Sequence, residues 1–342
     1  MAPGVGLLCT FKVLLRSPSR SFRLTFLFRL LPPTLSPTLS PTHTNTLSLS
    51  HTHTISTPFP PSLPLCETDS GLLRRKNALS MMMLSLAVYS VCSIEWFVWG
   101  YSLAYGTGSK FIGNLEFFGF MNVDIQPGGK MPVLLYAFYQ SMFAALTPVI
   151  AVGGCAERAR LAPILVVSFL WSTIVYNVVA CWTWSVTGWG ADHGVLDFAG
   201  GGPVHIASGT ASLVWSYYLG RRRGYGTAKL AYRPHSVSHV VIGTTLLWFG
   251  WFGFNGGSAG AMNLRSVQAS VVTNLAAAMG GLTWMFMDWI YTRRYSAVSL
   301  CSGILAGLVG ITPAAGFVGA PSSLAIGFIT AIVSLLFLPS LF

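Results

Sequence analysis

From Gly71 onward the chain is dominated by long apolar runs broken only by short polar turns. A helix rises about 1.5 Å per residue, so about 20 mostly apolar residues cross a bilayer core. Eight runs meet that length, at 81–105, 132–153, 161–186, 197–219, 237–256, 267–291, 297–316 and 319–340. The pattern predicts an all-α polytopic membrane protein, with a membrane domain over 71–342. Small residues recur within these runs, in GGGP, GWFGFNGGSAG, AAAMGGL and SGILAGLVGITPAAG. Small-residue faces let helices approach closely, and predict a tight bundle.

Composition agrees with the pattern. Hydrophobic residues make up 53% of the chain and charged residues 8%, against roughly 25% charged in soluble domains. The net charge of +11 would suggest nucleic acid or an anionic surface if it lay in one patch. It does not: the loops GLLRRKN, AERAR, GRRRGYGTAKLAYRPHS and YTRRYS hold twelve Lys and Arg, and the alternate loops hold three, Lys110, Lys130 and Arg265. By the positive-inside rule the first set is cytoplasmic, and the first intact span runs from inside to outside. Glu116, Asp124 and Asp192 then fall on the outer side. The charge is a topology signal, and no nucleic-acid partner is expected.

Residues 1–70 stand apart. Segment 32–64 is low-complexity sequence rich in Pro, Ser, Thr and His, unable to bury enough apolar surface to fold. The THTNT and HTHT runs are also what an alternating CA tract yields on translation, so the segment is read as a linker, a floppy solvated tail or read-through non-coding sequence. The five basic and no acidic residues of 1–66 leave a transit peptide as a rival.

The six cysteines, Cys9, Cys66, Cys92, Cys155, Cys181 and Cys301, form no CxxC pair. They are read as small hydrophobes, with no disulfide framework or metal site. Polar residues inside spans are functional candidates. In LDFAGGGPVHIASGTASLV, Asp197 opens a span as an N-cap, a role compatible with facing a cation path. In a regular helix His205 would lie about 12 Å deeper, near mid-membrane. A lone membrane histidine either hydrogen-bonds a neighbouring helix or lines a path; the small residues around His205 suit the wall of a narrow one. Glu95 and Asp288 are further intramembrane acids. Asp288 is expected to meet Arg293 or Arg294; Glu95 receives no role.

SGLLRRKNALSM, WGYSLAYG, CAERAR, VLDFAGGGPVHIASGTASLV, GWFGFNGGSAG and CSGILAGLVGITPAAGFVG occur in one order over about 70–340. Through them the chain resembles the ammonium transporter family (Amt/Mep/Rh), most of all its Mep-type branch. The resemblance implies an inverted five-plus-five helix repeat, of which eight spans are present here. It also implies a homotrimer in the plasma membrane, with ammonium or ammonia and methylammonium as substrates. No enzyme activity, cofactor or metal follows from it, and the absence of a P-loop argues against a primary pump.

Carried onto this chain, the family's outer vestibule corresponds to Trp184, Tyr139, Phe143 and Ser258. A cation over aromatic faces gains about 0.5 to 2 kcal/mol, and a hydroxyl accepts an N–H bond. Trp182 and Trp189 compete with Trp184 for its place, and Tyr139 stands where relatives often carry Phe. Phe143 and Phe254 correspond to the rings that close the pore, Asp197 to the acid that supports the vestibule, and His205 to the first of two pore histidines. An imidazole both donates and accepts, so a pair can pass a proton while ammonia crosses.

The chain departs from the family in having no histidine after His239, and in placing about 63 unrelated residues between PGVG (3–6) and SGLL (70–73). A retained intron or mistaken start, with loss of most of the first span, of the last pore helix and of the tail, is the expectation. Glu95 stands where relatives carry a neutral polar group. A nitrogen sensor and a non-transporting truncated product are the alternative readings.

Overall fold

The computed structural model of the protein describes residues 62–124, 131–222 and 234–337. The chain divides into units 1–52 and 53–342; the first unit, and with it most of the low-complexity segment, lies outside the described residues. Among those described there are helices, turns and irregular loops but no β-ladder. The helices are α1 (Ser62–Leu72), α2 (Arg75–Tyr105), α3 (Val133–Cys155), α4 (161–184), α5 (201–219), α6 (Val237–Gly257), α7 (Leu264–Thr292), α8 (Ala297–Ile311) and α9 (Ala320–Phe337). The boundary expected at residue 70 falls inside α1, which packs on α2 and α6.

Each of the eight expected spans has a helix in its place, but among the described residues only six stretches are long and apolar enough to cross a bilayer: Arg75–Tyr105, Val133–Cys155, Leu161–Asp192, Val237–Gly257, Leu264–Thr292 and Ala320–Phe337. The other two are shorter than the apolar runs that predicted them. Helix α8 stops at Ile311, two residues before Pro313, which has no N–H to continue a ladder. Helix α5 starts at Gly201 rather than 197, because Asp197 folds back to cap it.

Local chemistry sets the helix starts. Asn263 Oδ1 accepts from Ser266 N at 3.0 Å to open α7, and Ser296 Oγ accepts from Ser299 N at 3.3 Å to open α8. Such caps satisfy N–H groups that have no intrahelical partner. Where α7 crosses α8, a Cβ on Gly280 would collide with the Gly303 carbonyl, and one on Gly303 would lie 2.6 Å from Trp284 Cβ. Glycine permits this crossing, as the small-residue pattern predicts. Outward positions such as Ile94, Phe97, Val166, Ile174, Leu213, Phe249 and Leu282 are exposed and apolar, a surface suited to lipid. The largest buried cluster gathers Trp96, Tyr139, Phe143, Tyr176, Phe254 and Leu308.

Two polar expectations resolve differently. Asp288 does not pair with Arg293 or Arg294: its Oδ2 accepts from Ser299 Oγ of α8 at 2.6 Å. The reason is local, because Arg293 ends α7 in the left-handed region at φ 59° and lays its guanidinium over Trp289 at 5.1 Å. Cys92, Cys155, Cys181 and Cys301 are free and buried, as small hydrophobes.

At the other charged site, Glu157 Oε1 accepts from Arg74 N at 2.9 Å, and its Oε2 pairs with Arg222 Nη1. Arg158 Nη1 donates to Gly220 O at 2.7 Å. Burial alone would push the Glu157 carboxyl up, but hydrogen bonds from Arg74, Asn77 and Arg222, with the guanidinium charge, outweigh it and hold it below its ordinary value.

Candidate functional site

Tyr136, Tyr139, Gln140 and Phe143 recur on α3 at i, i+3, i+4 and i+7, a spacing that puts them on one face. Opposite them, α6 presents Phe254 and Ser258, one turn apart. Tyr136, Tyr139, Gln140 and Phe143 line a small cavity of about 80 Å³ together with Met131, Trp184, Phe198, Gly257, Ser258 and Gly260. The cavity brings together the four residues expected for recruitment: Trp184, Tyr139, Phe143 and Ser258.

The Phe143 ring stands edge-on to Trp184 at 5.9 Å and to Tyr139 at 5.0 Å. Tyr139 donates to Phe254 O at 2.7 Å, and Ser258 Oγ donates to the same carbonyl at 2.8 Å. The serine proton is thereby committed, and its oxygen is left as an acceptor beside the cavity. Of the three competing tryptophans only Trp184 lines the space. Trp182 donates outward to Phe111 O at 2.9 Å and packs on Trp189 at 5.8 Å.

The lining ring of Phe143 packs in turn on Phe254. Phe143 and Phe254 lie 4.5 Å apart, tilted by 38°. His205 follows behind Phe254, at 6.0 Å, stacked on Trp251 at 5.6 Å and 10°. Trp251 is itself fixed by Nε1 donating to Thr312 Oγ1 at 2.9 Å. His205 Nε2 is buried without a hydrogen-bond partner in the structure. Rings of this kind keep a constriction dry and suit a gate.

Asp197 supports the wall from outside the cavity. Its Oδ1 accepts from Gly200 N at 2.7 Å and Gly201 N at 2.8 Å, and its Oδ2 from Gly202 N at 2.6 Å. Gly200 sits at φ 107°, a backbone conformation that a side chain would strain. The Asp197 carbonyl accepts from Trp184 Nε1 at 3.0 Å, so the capping loop also fixes the Trp184 ring beside the cavity. Asp197 thus caps α5 from three residues ahead of its N-cap Gly200, and the regular helix from 197 to 205 behind the 12 Å expectation is not formed. Because α5 starts at Gly201 with a π-helical turn, His205 lies four residues into the helix, at most about 6 Å below its start.

Sequence reasoning passed over Tyr136, Gln140 and Phe198 as lining residues. The first two were findable from their spacing with Tyr139 and Phe143; Phe198 was not, since its place depends on Phe198 N donating to Pro313 O at 2.9 Å across the bundle.

Fold and site together define a multi-pass helical membrane protein with a cavity lined by aromatic side chains. Residues 63–341 match the model of the Ammonium Transporter Family, and the chain belongs to that family. It is 52% identical to ammonium transporter MEP2 of Saccharomyces cerevisiae over 269 residues, covering 76% of this chain and 54% of that protein. It is 51% identical to ammonium transporter 2 of Schizosaccharomyces pombe over 267 residues, covering 76% and 52% respectively. The crystal structure of Saccharomyces cerevisiae Mep2 superposes with a TM-score of 0.74 at 49% identity, covering 80% of this chain and 64% of that one. The chain thus spans about half the length of the two transporters it matches.

Proposed function

We propose that the protein to which this chain belongs moves ammonium across a membrane, with methylammonium as a substitute substrate, and that it does so as a homotrimer in the plasma membrane. The observation that carries this reading is the convergence of Trp184, Tyr139, Phe143 and Ser258 on one cavity, directly above the Phe143–Phe254 contact and His205. The aromatic faces attract a monovalent cation and the serine oxygen takes one of its N–H bonds. A hydrated metal cation would find no carboxylate lining the cavity. Beneath the rings the lumen is apolar, so the species that passes is the neutral one. Ammonium gives its proton to water at the outer mouth of the cavity before the rings part, and the imidazole of His205 offers a donor and an acceptor beyond them.

The relatives named as ammonium transporters support this reading, as does the family model. The test is to express the whole protein to which this chain belongs in cells lacking their own ammonium transporters and measure uptake of radiolabelled methylammonium alongside surface abundance. Saturable uptake competed by ammonium is expected. Uptake absent at normal surface abundance overturns the reading.

A further inference from the structure

The most conspicuous buried group that the transport path does not use is Glu95. It ends the α-helical part of α2 and precedes the π-helical segment Trp96–Gly100. Its side chain is fully buried and reaches across to a second π-helical segment, Ser172–Tyr176 of α4. Oε1 accepts from Asn177 Nδ2 at 2.7 Å and Thr173 Oγ1 at 3.0 Å, and Oε2 accepts from Ser172 Oγ at 3.1 Å. The ion pairs among the described residues are Lys110–Asp192 and Arg222–Glu157, so no basic side chain neutralises it. A carboxylate buried without a cation is costly.

We propose that Glu95 is a proton-binding site whose charge is coupled to cation occupancy of the vestibule. The coupling rests on the proposed function; the proton site itself does not. Packing selects the proton over a metal ion. A Cβ on Gly100 would lie 2.9 Å from Glu95 Oε2, 3.0 Å from the Trp96 ring and 3.3 Å from Asn177 Nδ2. That wall leaves no room for a coordinated ion, and a proton requires none.

The hydrogen-bond framework serves both protonation states. As a carboxylate, Glu95 takes three donors. As an acid, Oε1–H donates to Thr173 Oγ1, whose own proton turns to Phe169 O at 3.1 Å while Oγ1 keeps the bond from Trp99 Nε1 at 3.0 Å. Gaining a proton therefore needs one hydroxyl to rotate and no backbone movement.

Buried polar groups run from this site to the cavity. Asn177 Oδ1, Tyr176 Oη and Gln140 Oε1 are buried atoms without a hydrogen-bond partner. Tyr176 packs on Trp96 at 6.2 Å, Trp96 on Tyr105 at 6.2 Å, and Tyr105 on Tyr136 at 5.4 Å. Tyr136 Oη accepts from Gln140 Nε2 at 3.2 Å, and both residues line the vestibule. The titratable groups around Glu95 are Cys92 on its own helix, Tyr101 and Tyr105 beyond the π segment, Tyr176 from α4 and Tyr136 from α3. Helix α5 and the apolar first half of α4 bring none to it, and Asp69 of α1 belongs to the opposite end of α2. None of these is cationic, so nothing between Glu95 and the vestibule cancels its charge, and a dry wall screens it weakly. A negative Glu95 favours ammonium in the cavity. By reciprocity, ammonium in the cavity disfavours the proton on Glu95.

The experiment uses the purified 342-residue chain in lipid nanodiscs. Infrared difference spectra across a pH titration are expected to contain a protonated-carboxyl C=O band that is missing in Glu95→Gln and retained, displaced, in Glu95→Asp. Methylammonium, the probe, moves the midpoint of that band to lower pH. Calorimetric methylammonium affinity falls roughly 5-fold or more from the high-pH to the low-pH limit, and stays at the weaker value at every pH in Glu95→Gln. A titrating band that persists in Glu95→Gln overturns the proton site, and so does a full set of spectra without one. A midpoint that ignores bound methylammonium overturns the coupling. If methylammonium does not bind at all, the failure is that of the proposed function, and the pH titration alone judges the proton site.

Discussion

Ser258 illustrates how one atom is made available by its neighbours. With its proton directed to Phe254 O at 2.8 Å, and Tyr139 Oη 3.1 Å away, its oxygen can accept from a cation in the cavity. Ser258→Ala is expected to raise the apparent KM for methylammonium roughly tenfold, the loss of one charge-assisted hydrogen bond. Trp184→Leu removes a cation–π face and should raise KM by roughly 2- to 30-fold. Uptake kinetics at matched surface abundance decide both, and an unchanged KM in either variant removes that residue from the recruitment site. Sequence made these residues candidates through family motifs. That Trp184 rather than Trp182 or Trp189 faces the cavity was set by its bond to Asp197 O, a contact between segments that no spacing rule specifies.

At the scale of elements, the capping loop of α5 ties charge to geometry. Asp197→Ala leaves three backbone N–H groups without their carboxylate, at a cost of at least about 1 to 2 kcal/mol, and frees the carbonyl that holds Trp184 to move. Uptake is expected to be abolished; normal uptake by this variant would dismiss the role given to Asp197.

Glu157 joins the segment before α2 to the turn after α3 and to the end of α5 through Arg74 N and Arg222. Its carboxyl is held below its ordinary value, so the stability it contributes is fully present above the ordinary carboxylate range. That contribution is lost as pH falls through the depressed value. Glu157→Gln should therefore lower the melting temperature in detergent at neutral pH, and the gap to wild type should close once the pH falls below the ordinary carboxylate range and through the depressed value. A gap of constant size across that range would mean that the carboxylate charge contributes nothing.

For the whole molecule, the alternation of basic loops predicts orientation. Cysteines placed at Lys110 and Arg160, both exposed, in a background without other reactive thiols, should differ towards an impermeant reagent in intact cells. Position 110 should react and position 160 should be protected. Reversed labelling would invert the topology, and labelling of both would break the span count. Hydropathy located all eight helical segments but gave the wrong ends for α5 and α8, because an apolar run extends through residues that a cap or a proline takes out of the helix.

What the sequence determined by itself was the membrane class, the order of the eight apolar helical segments after α1, the small-residue crossings and the identity of the acid, histidine and aromatic candidates. These follow from length, hydropathy and residue chemistry, which act locally along the chain. The tertiary structure decided what depends on groups distant in sequence. It placed Gln140, Tyr136 and Phe198 on the cavity, turned Asp288 to Ser299 instead of an arginine, and folded Asp197 back ahead of a helix that starts at Gly201. It also surrounded Glu95 with hydroxyls and an amide contributed by α4. An acid that the sequence left without a role acquires one only through those neighbours, since burial and hydrogen bonding, not residue type, determine what a carboxyl group can do in a membrane.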